Sequence, residues 1–277
     1  MSEENKLPPG AELSIQGEVD FQTINDRYIN LWTSFAKRGQ LETTRYPMQY
    51  PSKMSRGSLL FVGCNPSFRA PENIKPKTLT GLPTDMREED YSRWEGELNP
   101  AQYMAAERQY QNSITKTHVL RDQYYRILDK VCTGSGMPRW EHIDLFGIRE
   151  TNQNLVLKML GIQSIGKDEE EIEVFEISEF AATQIQIALE AISLLAPLAI
   201  VVISAISSKV LKSYSKQMKM KLTFREDIGT YVINVGEKPV PVFLAGMLAR
   251  QRALDVFSRE RLIWHIRHAY TLLKKET

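Results

Sequence analysis

The sequence predicts an α/β protein: a three-layer α/β/α sandwich around a central, mainly parallel sheet of about four strands. Three observations carry that prediction. Short, almost wholly apolar runs at 58–63 and 198–204 are too brief for helices and lack the alternation of a half-wet strand, so they read as strands buried on both faces. Segments with apolar residues at helical spacing lie between such runs, and strands separated by helices imply a parallel sheet covered on both sides. The composition is that of an ordinary globular chain: 277 residues, 42% hydrophobic and 25% charged, enough for one sizeable core.

Taken in order, residues 1–15 are polar and proline-containing, and are expected to be disordered. A helix is expected over 20–37, where Phe21, Ile24, Tyr28, Leu31 and Trp32 fall at helical spacing. An irregular stretch, 46–56, leads into the strand at 58–63. Residues 69–117 are polar and broken by Pro71, Pro76, Pro83 and Pro100, so they read as an insertion or lid near a pocket. A helix is expected over 118–132 and a second strand over 140–146, with mixed character from 147 to 177. Then follow an amphipathic helix at 177–195, the strand at 198–204 and a helix at 207–216. Two more strands at 231–235 and 240–245 precede a terminal helix at 250–274. No repeat divides the chain, so a single domain over 1–277 is expected.

Several function classes are set aside by composition. The apolar runs are shorter than a bilayer requires and no signal segment opens the sequence, so no membrane partner and a cytoplasmic location are expected. Cys64 and Cys132 lie far apart and outside any paired spacing. They build neither a disulfide framework nor a zinc site, and Cys64 reads as a small buried apolar residue. His118, His142, His265 and His268 are scattered, so no metal is expected. The glycines of Thr133-Gly134-Ser135-Gly136 follow a helix rather than a strand, and no segment ends in Gly-Lys-Ser or Gly-Lys-Thr. Dinucleotide and P-loop chemistry are therefore unsupported. The formal net charge is +1, yet the carboxyl end concentrates Arg250, Arg252, Arg259, Arg261, Arg267, Lys274 and Lys275.

The most informative stretch runs from Gly57 to Phe68. Its strand stops at Gly63, and Asn65-Pro66 then forces a turn, because proline fixes its own φ and pushes the preceding residue out of the helical region. A polar amide is thus held at the carboxyl end of a central strand, where open α/β sheets place their ligands. The plainer alternative is a turn asparagine bonding its own backbone.

The segment Leu59-Leu60-Phe61-Val62-Gly63-Cys64-Asn65-Pro66-Ser67 resembles the first motif of the uracil-DNA glycosylase superfamily, written VGINPG in its mismatch-specific branch. Tyr124-Tyr125-Arg126-Ile127-Leu128 resembles the helix before that family's second strand. Glu141-His142-Ile143-Asp144-Leu145-Phe146 falls where the family ends a strand in Thr-Asn-Leu-Val. Val242-Phe243-Leu244-Ala245-Gly246-Met247-Leu248-Ala249-Arg250 occupies the place of its wedge loop, but has neither the histidine nor the proline expected before Met247. The cysteines that hold an iron–sulfur cluster in some branches are missing, so the resemblance implies no cofactor.

The resemblance implies a monofunctional, monomeric enzyme that flips a nucleotide out of DNA, taken as double-stranded, and hydrolyses the base–sugar bond. Asn65 would position the attacking water. Gly63, Cys64 and Ser67 would line the base pocket, and Phe68 would stack on the extruded ring. Met247 and Leu248 would fill the gap left in the duplex, with Arg250 and Arg252 on flanking phosphates.

Asp144 stands where uracil-removing members place asparagine. An ionised carboxylate only accepts hydrogen bonds, whereas cytosine offers an amino donor, so the expected target is a cytosine-type base. Unmodified cytosine is intolerable as a target, so the expected substrate carries a 5-substituent, hydroxymethyl or glucosylated, as in defence against phage. The plainer reading of Asp144 is a cap before Gly147. Three rivals stay open: a uracil or thymine-mismatch glycosylase, a catalytically inactive DNA-binding module, and an unrelated doubly wound protein with a small ligand.

Overall fold

The computed structural model describes residues 17–41, 43, 45–66, 99–105, 123–169, 171, 173–215, 221–248 and 253–276. The elements are β1 (Glu18–Asp20), α1 (Gln22–Lys37), β2 (Lys53–Ser55), β3 (Leu59–Gly63), α2 (Gln123–Gly134) and β4 (Trp140–Asp144). They continue with α3 (Gln153–Leu160), β5 (Ile162–Lys167), β6 (Glu173–Ile177), α4 (Glu179–Leu195), β7 (Ala199–Val202) and α5 (Ala205–Ser215). Last come β8 (Thr223–Arg225), β9 (Thr230–Val235), β10 (Lys238–Leu244) and α6 (Val256–Leu273).

The main sheet has six strands in the order β4-β3-β7-β10-β9-β8. Its first four are mutually parallel, and β9 and β8 extend it antiparallel. Successive strand residues point to opposite faces, and the core divides accordingly. Leu60, Val62, Ile200 and Val202 pack with α1, α4 and α5 on one face. Leu59, Phe61, Val201 and Phe243 pack with Leu128 and Val131 of α2 and Ile266 and Ala269 of α6 on the other. Helices therefore cover both faces of a mixed, largely parallel sheet.

The four parallel strands end on one edge. From β3 the chain passes to β4 on one side, then crosses back to β7 on the other. This reversal sets a switch point between β3 and β7, the crevice where open α/β sheets hold ligands.

Local chemistry sets the helix ends. Asn152 caps α3 by accepting from the Asn154 and Leu155 amides, and Gly161 closes it in the left-handed region at φ 60°. Ser178 caps α4, and Asp255 caps α6 by accepting from the Ser258 amide. That cap starts the terminal helix at Val256, later than the expected position 250. The stretch 147–177, read as mixed, contains α3 and a β5–β6 hairpin; β1, β2 and β8 were also not expected. Residues 99–105 lie inside the expected lid and include a helical turn at 100–105. The rest of 69–117, and residues 1–15, fall outside the described residues.

Candidate functional site

The β3 and β4 tips are in register, Gly63 opposite Asp144. His142 and Asp144 alternate onto the face that carries Phe61, so both side chains turn toward α2. The Asp144 carboxylate lies directly over Gly63: a Cβ there would come within 2.1 Å of Oδ1, so only glycine fits. Tyr124 and Tyr125 of α2 meet the His142 ring edge-on at 5.8 and 6.1 Å, and the Tyr124 hydroxyl lies 3.1 Å from Nε2.

Asp144 is 6% exposed, and among the described residues no hydrogen-bond donor reaches its carboxylate. His142 Nε2 lies 3.9 Å from its Oδ1. Burial disfavours charge on both groups: it pushes Asp144 up to about 7 and pulls His142 down to about 4. At neutral pH the imidazole is therefore uncharged, and the carboxyl group is poised between its two states. The strand end itself is fixed from the opposite face. The Tyr50 hydroxyl donates to the Asp144 carbonyl at 2.7 Å, and Tyr50 is in turn held by reciprocal bonds with Asn25. Among the described residues the Asp144 side chain makes no helix- or turn-capping bond. An unpaired buried carboxyl costs stability, and such groups concentrate at functional sites.

Asn65 is half-buried, and its side chain joins the turn after β3 to the loop that follows β4. Its Nδ2 donates to the carbonyls of Pro66 (3.2 Å), Ile148 (3.0 Å) and Glu150 (2.6 Å). The amide nitrogen is thus committed to backbone, and Oδ1 is the end left for a ligand or water. Cys64 is buried, with its thiol near the Ser204 and Ser207 hydroxyls. Burial pushes it up to about 12, so it is a packing residue and no nucleophile. Ser207 also donates to the Gly63 carbonyl.

No protein-family model and no curated protein matches this chain.

The loop after β10 lies on the same edge as Gly63 and Asp144, tied down by the Ala245 amide to the Val202 carbonyl and by the Leu254 amide to the Met247 carbonyl. Met247 is half-buried. Leu248 is 1% exposed and packs in the α2–α6 core. Ser67, Phe68, Arg250 and Arg252 fall outside the described residues.

Other residues around the strand tips carried little sequence signal. Arg149 is buried, and its Nη2 donates to the Tyr103 hydroxyl at 3.2 Å. Tyr103, from the 99–105 segment, stacks on Tyr46 at 4.3 Å and 7°, and donates to the Pro47 carbonyl. Part of the expected lid thus packs beside the loop that follows β4. His142 appeared only as a scattered histidine; its place two residues before Asp144 on one strand is the signal that pairs them.

Among the described residues no group of three or more His, Cys, Asp or Glu side chains could hold a metal ion. Among them, no helix is long and apolar enough to cross a membrane. A cavity of about 310 Å³ lies apart from the strand tips, between α2 and α6, and none of the expected site residues lines it.

Proposed function

We propose that the protein is a DNA glycosylase that excises a 5-substituted cytosine, within a uracil-DNA glycosylase-like fold. The observation that carries this reading is the buried, unpaired Asp144 carboxyl at the carboxyl edge of the parallel strands, on the strand next to the one that leads to Asn65. A carboxyl group held near 7 by burial can give a proton to cytosine N3 while its other oxygen accepts from the exocyclic amine; uracil, whose N3 already carries a hydrogen, cannot take up that proton there.

The step balances as follows. The N-glycosidic bond breaks with its electron pair going to N1, and the proton on N3 lets the base depart neutral. Water adds to C1′ of the sugar cation and releases a proton, which restores the Asp144 acid. Asn65 Oδ1 accepts a hydrogen bond from that water and orients it. Because the sugar carbon is already electrophilic, orientation suffices and no strong base is needed.

Mass analysis of bases released from DNAs carrying cytosine, 5-hydroxymethylcytosine, its glucosylated form, uracil or a thymine mismatch tests the proposal. Release of a 5-substituted cytosine, lost in Asp144→Asn, is expected. Release of uracil alone would overturn the cytosine assignment.

The commitment of Asn65 Nδ2 to three carbonyls favours a second reading, a binding module of the same fold in which Asn65 is a clamp. It predicts salt-sensitive DNA binding with no abasic product from any substrate.

A further inference from the structure

We propose that the cleft between α2 and α6, together with the outward face of α6, binds single-stranded DNA; this rests on DNA being the partner. The cleft is lined by Gln123, Arg126, Ile127, Lys130 and Arg259, three cations with no acid among them. No ion pair engages Arg126, Lys130 or Arg259 among the described residues. Of the acids nearby, Asp129 accepts from the Trp140 indole and Asp255 caps α6 through the amide and hydroxyl of Ser258, while Glu260 is exposed next to Arg259 in the sequence without an ion pair among the described residues. Unneutralised cations spaced one helical turn apart on α2, faced by an arginine from α6, fit consecutive backbone phosphates.

The outward face of α6 supplies a second, different feature. Phe257 is 71% exposed and Trp264 61% exposed, and the two lie seven residues apart on one side of the helix. Trp264 stacks on His268 at 4.7 Å and 11°, which orients the indole. Arg261 falls between them in the same stripe. Exposed flat rings beside cations are the elements of a single-strand platform, because every unpaired base has a face to stack whereas bases in a duplex cover one another.

Position supports the same partner. Both helices begin at the carboxyl edge of the sheet: α2 starts with Tyr124 against His142, and α6 follows the loop that leaves β10. A strand held in the cleft therefore lies near the edge that carries Asp144, and the ring stripe, about half a turn round α6 from Arg259, is a separate contact. Single-stranded DNA is the preferred partner, in place of the expected duplex.

Fluorescence anisotropy with labelled oligo-dT, and with the same strand annealed to oligo-dA, tests the proposal across a salt series. The single strand is expected to bind at least tenfold more tightly. Replacing Arg126, Lys130 and Arg259 by alanine should lower the logarithmic salt slope by about 2, at roughly 0.7 per lost phosphate contact. Phe257→Ala and Trp264→Ala should each weaken binding about tenfold with the slope unchanged, as expected for loss of a stacked base. Trp264→Phe should retain affinity but lose the quenching of tryptophan emission. Tighter duplex binding, or oligo-dT affinity indifferent to all these changes, would overturn the proposal. A Trp264→Ala protein that changes oligomeric state but not oligo-dT affinity would show instead a protein interface, and would also overturn it. Oligo-dT carries no excisable base, so the result stands apart from glycosylase activity.

Discussion

The Asp144 carboxylate occupies the space that a side chain on Gly63 would need, with Oδ1 2.1 Å from where a Cβ would stand. His142 Nε2 lies 3.2 Å from the same point, so neither neighbour leaves room. Gly63→Ala should therefore push the carboxyl group out of line. Overpacking of this kind costs about 1–3 kcal/mol. Denaturation should show that loss, and base release should fall to the level of Asp144→Asn. A Gly63→Ala protein with full activity would show that the position of the carboxyl group does not matter.

The two buried titratable groups act on stability in opposite directions. Between pH 4 and 7 the folded protein keeps a proton on Asp144 that the unfolded chain has lost, so this contribution is present at low pH and is lost as pH rises, by about 4 kcal/mol at most. His142 is the reverse. Between pH 4 and 6.5 the unfolded chain binds a proton that the folded protein refuses, so stability climbs by about 3 kcal/mol over that range. The native protein should thus show a nearly flat profile from pH 4 to 6.5. Asp144→Asn should leave a rising one, and His142→Gln one that falls from pH 4 to 7. Urea denaturation at closely spaced pH values measures all three, and identical profiles would contradict the opposed burial of the pair.

The central layer was legible because its chemistry is local. Leu59–Gly63 and Ala199–Val202 are apolar on both faces, and only a parallel strand between helix layers needs that. The β5–β6 hairpin was not legible, because its first strand is exposed at every position after Ile162 and carries no apolar alternation. At the site, Asn65 and Asp144 could be picked out from residue type and position at strand ends. The Tyr124–His142 contact could not, since it depends on how α2 lies across β4. Nor could the burial of Leu248, because a loop leucine reads alike whether it faces solvent or core.

Asn65 should prove structural as well as functional. Asn65→Ala removes the donor to the Ile148 and Glu150 carbonyls, whereas the Pro66 carbonyl keeps the Glu150 amide, and leaving part-buried acceptors unmet costs about 1–3 kcal/mol. Asn65→Asp should cost more, because it turns an oxygen toward carbonyls that require a donor. Chemical denaturation checks the order native, alanine, aspartate. A stability of Asn65→Ala equal to native would dismiss the clamp and leave only a role in base release.

Met247 and Leu248 are adjacent, yet they should separate cleanly by experiment. Leu248 is packed against α2 and α6, so Leu248→Ala opens a cavity and should cost about 2–5 kcal/mol. Met247 is half-buried on the loop, and Met247→Ala should cost within about 1 kcal/mol. If the loop holds unstacked DNA, the burden falls on Met247, and its alanine variant should lose base release from duplexes while keeping its melting temperature. Single-stranded substrate, which needs no gap filled, should be processed by Met247→Ala as by the native protein. Equal loss on both substrates would remove Met247 from any wedge and make it a pocket residue.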